Sequence, residues 1–191
     1  GSAPLERFGG SVASDGTVIA IGASGANGDS GTVTLLDADT GDTLWSVAGN
    51  PNDQLGWSVA VTGGKVAVSA PGVNDYAGTV RIYDAATGEL VQDITAPPGE
   101  IQYGYALAGT ATGRLIIGAP YRSTTALDAG GADIYDLNTG SLVQQVSYAG
   151  VSPSRYHEFG RSVAGSDAYI LVGAPGDNAA GWGAGAAYLF D

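Results

Sequence analysis

The feature that most constrains the fold is a unit that repeats four times along the 191 residues. Each copy opens on an apolar or aromatic residue followed by glycine, as in Leu55-Gly56 and Phe159-Gly160. The four opening glycines are separated by 47, 48 and 56 residues and lie at Gly9, Gly56, Gly104 and Gly160. A unit of this size cannot bury its apolar face alone, so neighbouring copies must stack on one another.

Each copy also contains a regular series of strand-like segments. The second segment is almost continuously apolar and ends in a corner of small residues, at Val18–Ser24, Val66–Pro71, Leu115–Pro120 and Ile170–Pro175. Such runs are typical of strands that are covered on both faces. A third segment ends in Asp at Asp37, Asp84, Asp136 and Asp191. In the first three copies a Thr-Gly turn then leads to a fourth strand, because glycine accepts a positive φ.

The number of strands and the length of the period indicate propeller blades. A period near 50 residues with four strands per unit is the signature of this architecture. No segment has a 3.6-residue apolar period, so we predict essentially no helix.

These residues resemble the FG-GAP repeat family, the blade unit of integrin α-subunit propellers and of many bacterial surface proteins. The segment Phe159–Pro175 nearly spells the family name as FGRSVA…LVGAP, and the resemblance runs from about Phe8 to Asp191. It implies an all-β β-propeller with four-stranded antiparallel blades in one domain, residues 1–191. The blades are expected at approximately 8–54, 55–102, 103–158 and 159–191.

The way in which the blades close is a separate question. Propellers of this family usually have about seven blades, whereas this chain supplies four and stops before a fourth strand of the last one. Residues 1–7 are too few to supply a strand and its linker. We favour a closed ring of four blades, the last of them short of its outer strand. The alternative is an open half-ring, whose edge strands would favour a homodimer.

Composition excludes several classes of function. The net charge of −12 opposes binding to nucleic acids and docking on anionic membranes. Divalent cations or a basic partner fit better, although the charge can also serve solubility alone. There is no cysteine for a disulfide or a thiolate metal site. No apolar run reaches the roughly 18 residues of a membrane span. No signal peptide is present either, and we expect the sequence to be a piece of a longer protein.

The resemblance implies a calcium site in the loop between the second and third strands. Asp and Asn residues in the matching loops are the candidate ligands: Asn27, Asp29, Asn74, Asp75, Asp128, Asp177 and Asn178. None of these loops carries the full alternating pattern that would supply six to eight oxygens. The alternative is that Asp and Asn serve turn geometry there. We interpret the turn 37–42, DADTGD, as a hairpin, since its later copies keep Thr-Gly but lose the acids.

The residue after each opening glycine supplies a candidate ligand site. These positions hold Gly10, Trp57, Tyr105 and Arg161. In a propeller, equivalent positions surround the central axis, so Trp57, Tyr105 and Arg161 are predicted to converge at one mouth of the channel. Aromatic faces and a guanidinium can bind sugars or peptides. The alternative is that they fill a narrow channel or pack between blades.

A second candidate lies in the segment Ser147–Glu158, the longest departure from the repeat. Long loops on a regular scaffold often carry function, and here Arg155, Tyr156 and His157 are suited to contact a ligand. His157 is the sole histidine and is expected on the surface. No GxSxG elbow and no phosphate-binding loop is present, so we expect no enzyme.

Together these features predict a non-enzymatic module that binds or adheres outside the cell or at its surface. Its loops would be presented to a protein or carbohydrate partner. A structural scaffold and an accessory domain of a secreted hydrolase remain as alternatives.

Overall fold

The fold is a series of four antiparallel β-sheets that follow one another along the chain. The computed structural model describes residues 5–123, 127–148 and 156–191. The first three sheets have four strands and the last has three, each in sequential order. The predicted repeat of strands is confirmed, including the strand that the last copy lacks.

The strands of each sheet run in order from the innermost to the outermost. The first sheet contains β1 Ser11–Ser14, β2 Val18–Ala23, β3 Thr32–Asp37 and β4 Thr43–Ala48. The second contains β5 Val59–Thr62, β6 Lys65–Ala70, β7 Thr79–Asp84 and β8 Leu90–Thr95. The third contains β9 Leu107–Gly109, β10 Arg114–Ala119, β11 Gly131–Asp136 and β12 Ser141–Ser147. The last contains β13 Ser162–Gly165, β14 Ile170–Ala174 and β15 Ala186–Phe190.

Two single helical turns, α1 Ala26–Asp29 and α2 Val73–Tyr76, join the second and third strands of the first two sheets. Both contain residues in the left-handed region, with φ of 52° at Asn27 and 53° at Asn74. Asn and Asp adopt this conformation more readily than other residues with a Cβ. The prediction of essentially no helix therefore holds apart from these two turns.

The four sheets form an open arc. The innermost strands pack in the order β1, β5, β9 and β13, and no comparable packing joins β13 back to β1 in the part of the chain that the structure describes. Val12 on β1 is 66% exposed, whereas Val59 at the same repeat position is 5% exposed. The expected closed ring of four blades is wrong. The alternative of an open half-ring agrees with this arrangement.

Three apolar cores lie between successive sheets. We call the side of a sheet that points to the next copy its trailing face, and the side that points to the previous copy its leading face. In the first core, Ala20 and Leu35 on a trailing face pack against Val66 and Val68 on the next leading face. Full burial of such a side chain contributes about 1.5–3 kcal/mol, so these cores hold the arc together.

The opening residue of each later copy is buried against the preceding sheet. Leu55, Tyr103 and Phe159 are 0%, 0% and 1% exposed. Their backbone also pairs with the preceding loop, since the Leu55 N–H donates to the Ser30 carbonyl over 3.1 Å and the Phe159 N–H to the Ala129 carbonyl over 3.2 Å. The opening residue thus joins one copy to the one before it.

The opening glycines and the small-residue corners allow two backbones to meet. A Cβ added to Gly22 would lie 2.1 Å from the carbonyl oxygen of Gly56, and one on Gly118 would lie 2.1 Å from that of Gly160. Real Cβ atoms do not approach oxygen so closely, so both positions require glycine. At the middle junction Ser69 stands at this position and is fully buried.

The Thr-Gly turns have the geometry expected of hairpins. The Asp37 carboxylate accepts hydrogen bonds from the backbone N–H groups of Asp39 and Thr40, at 3.0 and 2.8 Å. Gly41 has φ of 76°. The bond from the Thr40 backbone N–H is the main cause that holds the pKa of Asp37 below its usual range. The interpretation of this segment as a turn is confirmed.

Polar pairs connect the segment before an opening residue to the third strand of the same copy. In the second copy, Asp53 makes a 2.9 Å ion pair with Arg81 on β7. Its carboxylate also accepts the Asn50 backbone N–H over 2.9 Å. This pair fixes the linker on the leading face of the second sheet.

The third copy uses a buried charge cluster of Glu100, Tyr103, Arg122 and Asp133. Two Arg122 nitrogens donate to both carboxylate oxygens of Asp133, over 2.7 and 2.8 Å, and a third donates to Glu100. The Tyr103 hydroxyl donates to Asp133 over 2.9 Å. One cation therefore balances two carboxylates out of contact with water.

Glu100 is the less well satisfied carboxylate of this cluster. Its Oε2 is buried without a hydrogen-bond partner among the described residues. Burial raises the pKa of Glu100, and the hydrogen bond from Arg122 opposes that rise without cancelling it. Of the two buried carboxylates, Glu100 is therefore the one whose ionised form is destabilised by burial.

We expect Gly118→Ala to reduce the free energy of unfolding by about 3 kcal/mol, the upper end for overpacking, because the added Cβ meets a backbone carbonyl that cannot rotate away. Denaturant unfolding measures the loss. Ser69→Ala is the matched control, since it keeps a Cβ at the same repeat position. It loses two hydrogen bonds with Ser58, one accepted from the N–H and one donated to the carbonyl, each worth about 1 kcal/mol. A Gly118→Ala loss no larger than that of the control would contradict the close-approach argument.

We expect Arg122→Met to cost about 3–5 kcal/mol of stability, because it leaves Asp133 and Glu100 buried without a counter-charge. The exposed Arg114→Met on β10 should stay within about 0.5 kcal/mol of the wild type. Equal midpoints for the two variants in urea unfolding would show that the cluster contributes nothing.

Glu100→Gln should stabilise the fold more at about pH 7 than at about pH 4. A raised folded-state pKa means that the carboxyl favours the folded state fully below its unfolded pKa, near 4.5, and loses this contribution as the pH rises through the folded value. Glutamine removes that loss. Unfolding free energies at both pH values, with the exposed Glu89→Gln as control, test the sign. A gain that shrinks with rising pH would contradict it.

Candidate functional site

Three aromatic rings and one guanidinium meet at the start of the innermost strands. The Trp57 and Tyr105 rings are 5.7 Å apart in an edge arrangement, and the Tyr105 and Tyr121 rings are 6.1 Å apart at 87°. The guanidinium carbon of Arg161 lies 5.2 Å from the centre of the Tyr105 ring. We call Trp57, Tyr105, Tyr121 and Arg161 the aromatic–arginine cluster.

Sequence reasoning placed three of these four residues together, and the structure brings them into contact. Each follows an opening glycine, so the repeat delivers one side chain per copy to the same end of the arc. Tyr121 comes instead from the loop after β10 and lies outside that positional rule. A signal for Tyr121 is nevertheless present in the sequence. It follows the Ala119-Pro120 corner, at a position where the other copies have glycine, namely Gly25, Gly72 and Gly176.

The guanidinium of Arg161 is held in place by an acidic and a phenolic neighbour. It makes a 2.8 Å ion pair with Glu158 and donates to the Tyr121 hydroxyl over 3.4 Å. Burial acts to lower the pKa of Arg161, but Glu158, Tyr105 and Tyr121 outweigh it and raise the pKa. The side chain is half-buried and stays charged, so it offers a fixed cation beside aromatic faces.

A cavity of about 580 Å³ opens beside this cluster. Its walls are Tyr105, Arg161 and Ser162 on one side, and Gly173–Pro175 and Gly185–Ala187 on the other. The second wall is formed by the end of β14 and the start of β15. The volume lies in the range of small-ligand sites in proteins.

The segment before the last copy only partly matches its prediction. Tyr156 is exposed, and Arg155 lies outside the described residues. His157 is fully buried and stacks on Tyr148 with ring centres 4.0 Å apart. The expectation of a surface histidine is wrong, because the linker that delivers Phe159 to the core carries His157 inward with it.

The first five calcium candidates occupy strained positions of their loops. Asn27, Asp29, Asn74, Asp75 and Asp128 all have positive φ. This is the turn role that sequence reasoning left as the alternative. Across residues 5–123, 127–148 and 156–191, no group of three or more His, Cys, Asp or Glu side chains is arranged to hold a metal ion.

The last two candidates are used within their own loop. The carboxylate of Asp177 is almost fully buried and accepts hydrogen bonds from the Ala179 backbone N–H, over 2.6 Å, and from the Tyr188 hydroxyl. Burial acts to raise the pKa of Asp177, but these hydrogen bonds lower it overall. Asn178 accepts the Gly183 N–H over 2.6 Å. Both side chains therefore make hydrogen bonds inside the loop, and calcium binding stays a prediction.

Comparison with known structures bears on the fold alone. The chain is similar to the Kuenenia stuttgartiensis hydrazine synthase, with a TM-score of 0.60 and 16% identity over 90% of this chain and 43% of that one. It is also similar to the computationally designed Ika8 protein, with a TM-score of 0.55 and 16% identity over 96% of this chain and 45% of that one. The chain thus spans less than half the length of these structures.

Comparison of sequences identifies the repeat. No curated protein matches the sequence. The model of the FG-GAP repeat matches residues 153–190, which include the whole of the last sheet. The other three sheets carry the same opening glycine and small-residue corner. Residues 153–190 thus match an FG-GAP repeat, and the four sheets of the chain form an open, propeller-like arc.

Proposed function

We propose that the chain is a non-enzymatic binding module and that its ligand contacts the aromatic–arginine cluster. The observation that carries this proposal is the half-buried Arg161 guanidinium, fixed by Glu158 at 2.8 Å and lying 5.2 Å from the Tyr105 ring. A fixed cation next to partly exposed rings is a pre-organised surface, since little side-chain freedom is lost when a ligand binds.

The chemistry of the cluster favours a carbohydrate. Sugar rings stack on aromatic faces, and their hydroxyls accept hydrogen bonds from a guanidinium. A polyanionic ligand fits less well, because the chain as a whole carries a net charge of −12. A protein loop with an aromatic or hydroxyl-bearing tip is the alternative partner that presents the same groups.

The side chains of the aromatic–arginine cluster are suited to binding and not to catalysis. A tryptophan, two tyrosines and an ion-paired arginine include no histidine, serine or cysteine, the residues that most often act as general base or nucleophile. His157, the sole histidine of the sequence, is buried under Tyr148.

We further propose an extracellular or cell-surface location, supported by the resemblance of the repeat to the blades of surface proteins. None of the helical segments within the described ranges has the length and hydropathy needed to cross a membrane.

Trp57→Ala and Arg161→Gln should each weaken binding to a glycan about five- to thirtyfold, because each removes a contact of roughly 1–2 kcal/mol. A glycan array selects the ligand, and calorimetric titration measures the affinity. Trp182→Ala is the matched control, since Trp182 is almost fully exposed and lies outside the cluster.

The thermal unfolding midpoint of each variant must stay near that of the wild type for the comparison to hold. Equal losses for Trp57→Ala and Trp182→Ala, or no saturable glycan at all, would refute the carbohydrate site.

A further inference from the structure

The trailing face of the last sheet lacks the neighbour that covers the other three trailing faces. Leu171 and Leu189 are 42% and 64% exposed there. At the repeat position of Leu171 the earlier sheets have Ala20, Ala67 and Ile116, and at that of Leu189 they have Leu35, Ile82 and Ile134. Those six residues are all 0–1% exposed. The last sheet therefore presents an uncovered copy of a face that is elsewhere buried.

The cavity next to Arg161 lies at the position that an opening turn fills at the other junctions. Its outer wall, Gly173–Pro175 with Gly185–Ala187, corresponds to the segments that receive an opening turn at the other junctions. There Gly31 bridges to Leu55, and Gly130 bridges to Phe159. In the last sheet, the three atoms nearest to a Cβ on Gly173 all belong to Ser162 of the same sheet, and those nearest to a Cβ on Gly185 all belong to Pro175.

The opening turn of the first copy is not covered by another sheet among the described residues. Phe8 is 49% exposed, although its three counterparts are buried. The backbone is nevertheless in the docked conformation, with φ of 68°, 55° and 81° at Leu5, Arg7 and Gly9. The turn that is docked on the first sheet has φ of 67°, 56° and 87° at Asn52, Gln54 and Gly56.

The leading face of the first sheet is also uncovered and apolar. Val12 is largely exposed, and Ile19 and Ile21 are half-exposed. Their counterparts in the second sheet, Val59, Val66 and Val68, lie in the first core. One chain thus has both halves of a fourth core, at its two ends.

We propose that a second copy of this chain covers the trailing face of the last sheet with its own leading face, and that two copies close head to tail. Phe8 of one copy would enter the cavity of the other, and the Gly9 carbonyl would lie against Gly173, as Gly56 lies against Gly22. The two junctions are identical, so the assembly has twofold symmetry and no open end.

Two observations favour this arrangement over contact between two trailing faces. All three junctions within the chain pair a trailing face with a leading face and its opening turn. The chain also aligns over 96% of its length with 45% of the longer designed Ika8 chain, so the matched fold fills a little under half of that chain. The proposal stands independently of the ligand, because Gly10 would join the aromatic–arginine cluster without adding a side chain.

Sedimentation velocity and native mass spectrometry test the assembly. The wild type should have twice the chain mass of 19.0 kDa at micromolar concentration. Leu189→Asp on the trailing face and Val12→Asp on the leading face should each weaken association at least about 100-fold, because each places a charge in the new core. Leu90→Asp is the matched control and should stay dimeric, since Leu90 is similarly exposed but lies on the outer strand β8.

Mixing the two variants distinguishes head-to-tail pairing from other modes. The intact leading face of Leu189→Asp and the intact trailing face of Val12→Asp can form one junction, so a mixed dimer should appear that neither variant forms alone. A Val12→Asp protein that stays dimeric would overturn head-to-tail pairing. So would a wild type that is monomeric up to about 100 µM, a concentration far above the dissociation constants of stable dimers.

Gly173→Ala provides a variant that changes the junction with little effect on the fold. Within one chain its Cβ meets only the rotatable Ser162 hydroxyl, at 2.3 Å, whereas at the junction it would meet the Gly9 carbonyl. It should be folded by circular dichroism and monomeric, and a folded Gly173→Ala dimer would contradict the proposed contact. Glycan titration of the monomeric variants separates the failure of this proposal from that of the ligand site.

Discussion

The structure depends on one close contact between two backbones, made where an opening glycine meets the small-residue corner of the preceding copy. The Gly56 and Gly160 carbonyls approach Gly22 and Gly118 so closely that no Cβ fits between them. This contact sets the distance between sheets and brings Leu55 and Phe159 into the preceding cores. The apolar strands supply most of the burial, but the glycines decide how near the strands can come.

The same contact explains why the candidate ligand site contains one residue from each of three copies. The residue after the opening glycine must leave the junction at the start of the innermost strand. Trp57, Tyr105 and Arg161 therefore stand in a row at one end of the arc, in the order of the chain. A binding surface built in this way can change its chemistry by single substitutions, because the backbone contact beneath it involves glycine and not the variable side chain.

The sequence was sufficient to predict the features that repeat, and insufficient for those that do not. Strand order, the missing last strand and the meeting of Trp57 with Tyr105 all follow from the positions of motifs in successive copies. The burial of His157 and the Arg122–Asp133 pair depend on what faces a side chain across the fold, and no local pattern records that. The open arc was only the alternative to a closed ring, because strand patterns do not report whether the first and last sheets meet.

The linkers before the opening residues differ in the polar contacts that hold them, although the copies that they join are similar. The second copy fastens its linker with Asp53 and Arg81, the third with Glu100 and Arg122, and the last with His157 stacked on Tyr148. The three apolar cores are built from equivalent positions of successive copies. A linker exchanged between copies, however, would leave a charged or polar group buried without its partner. Because each linker has a different polar partner, each copy packs best against its own neighbour. These contacts therefore oppose the mispairing of similar repeats during folding, a characteristic failure of repeat proteins.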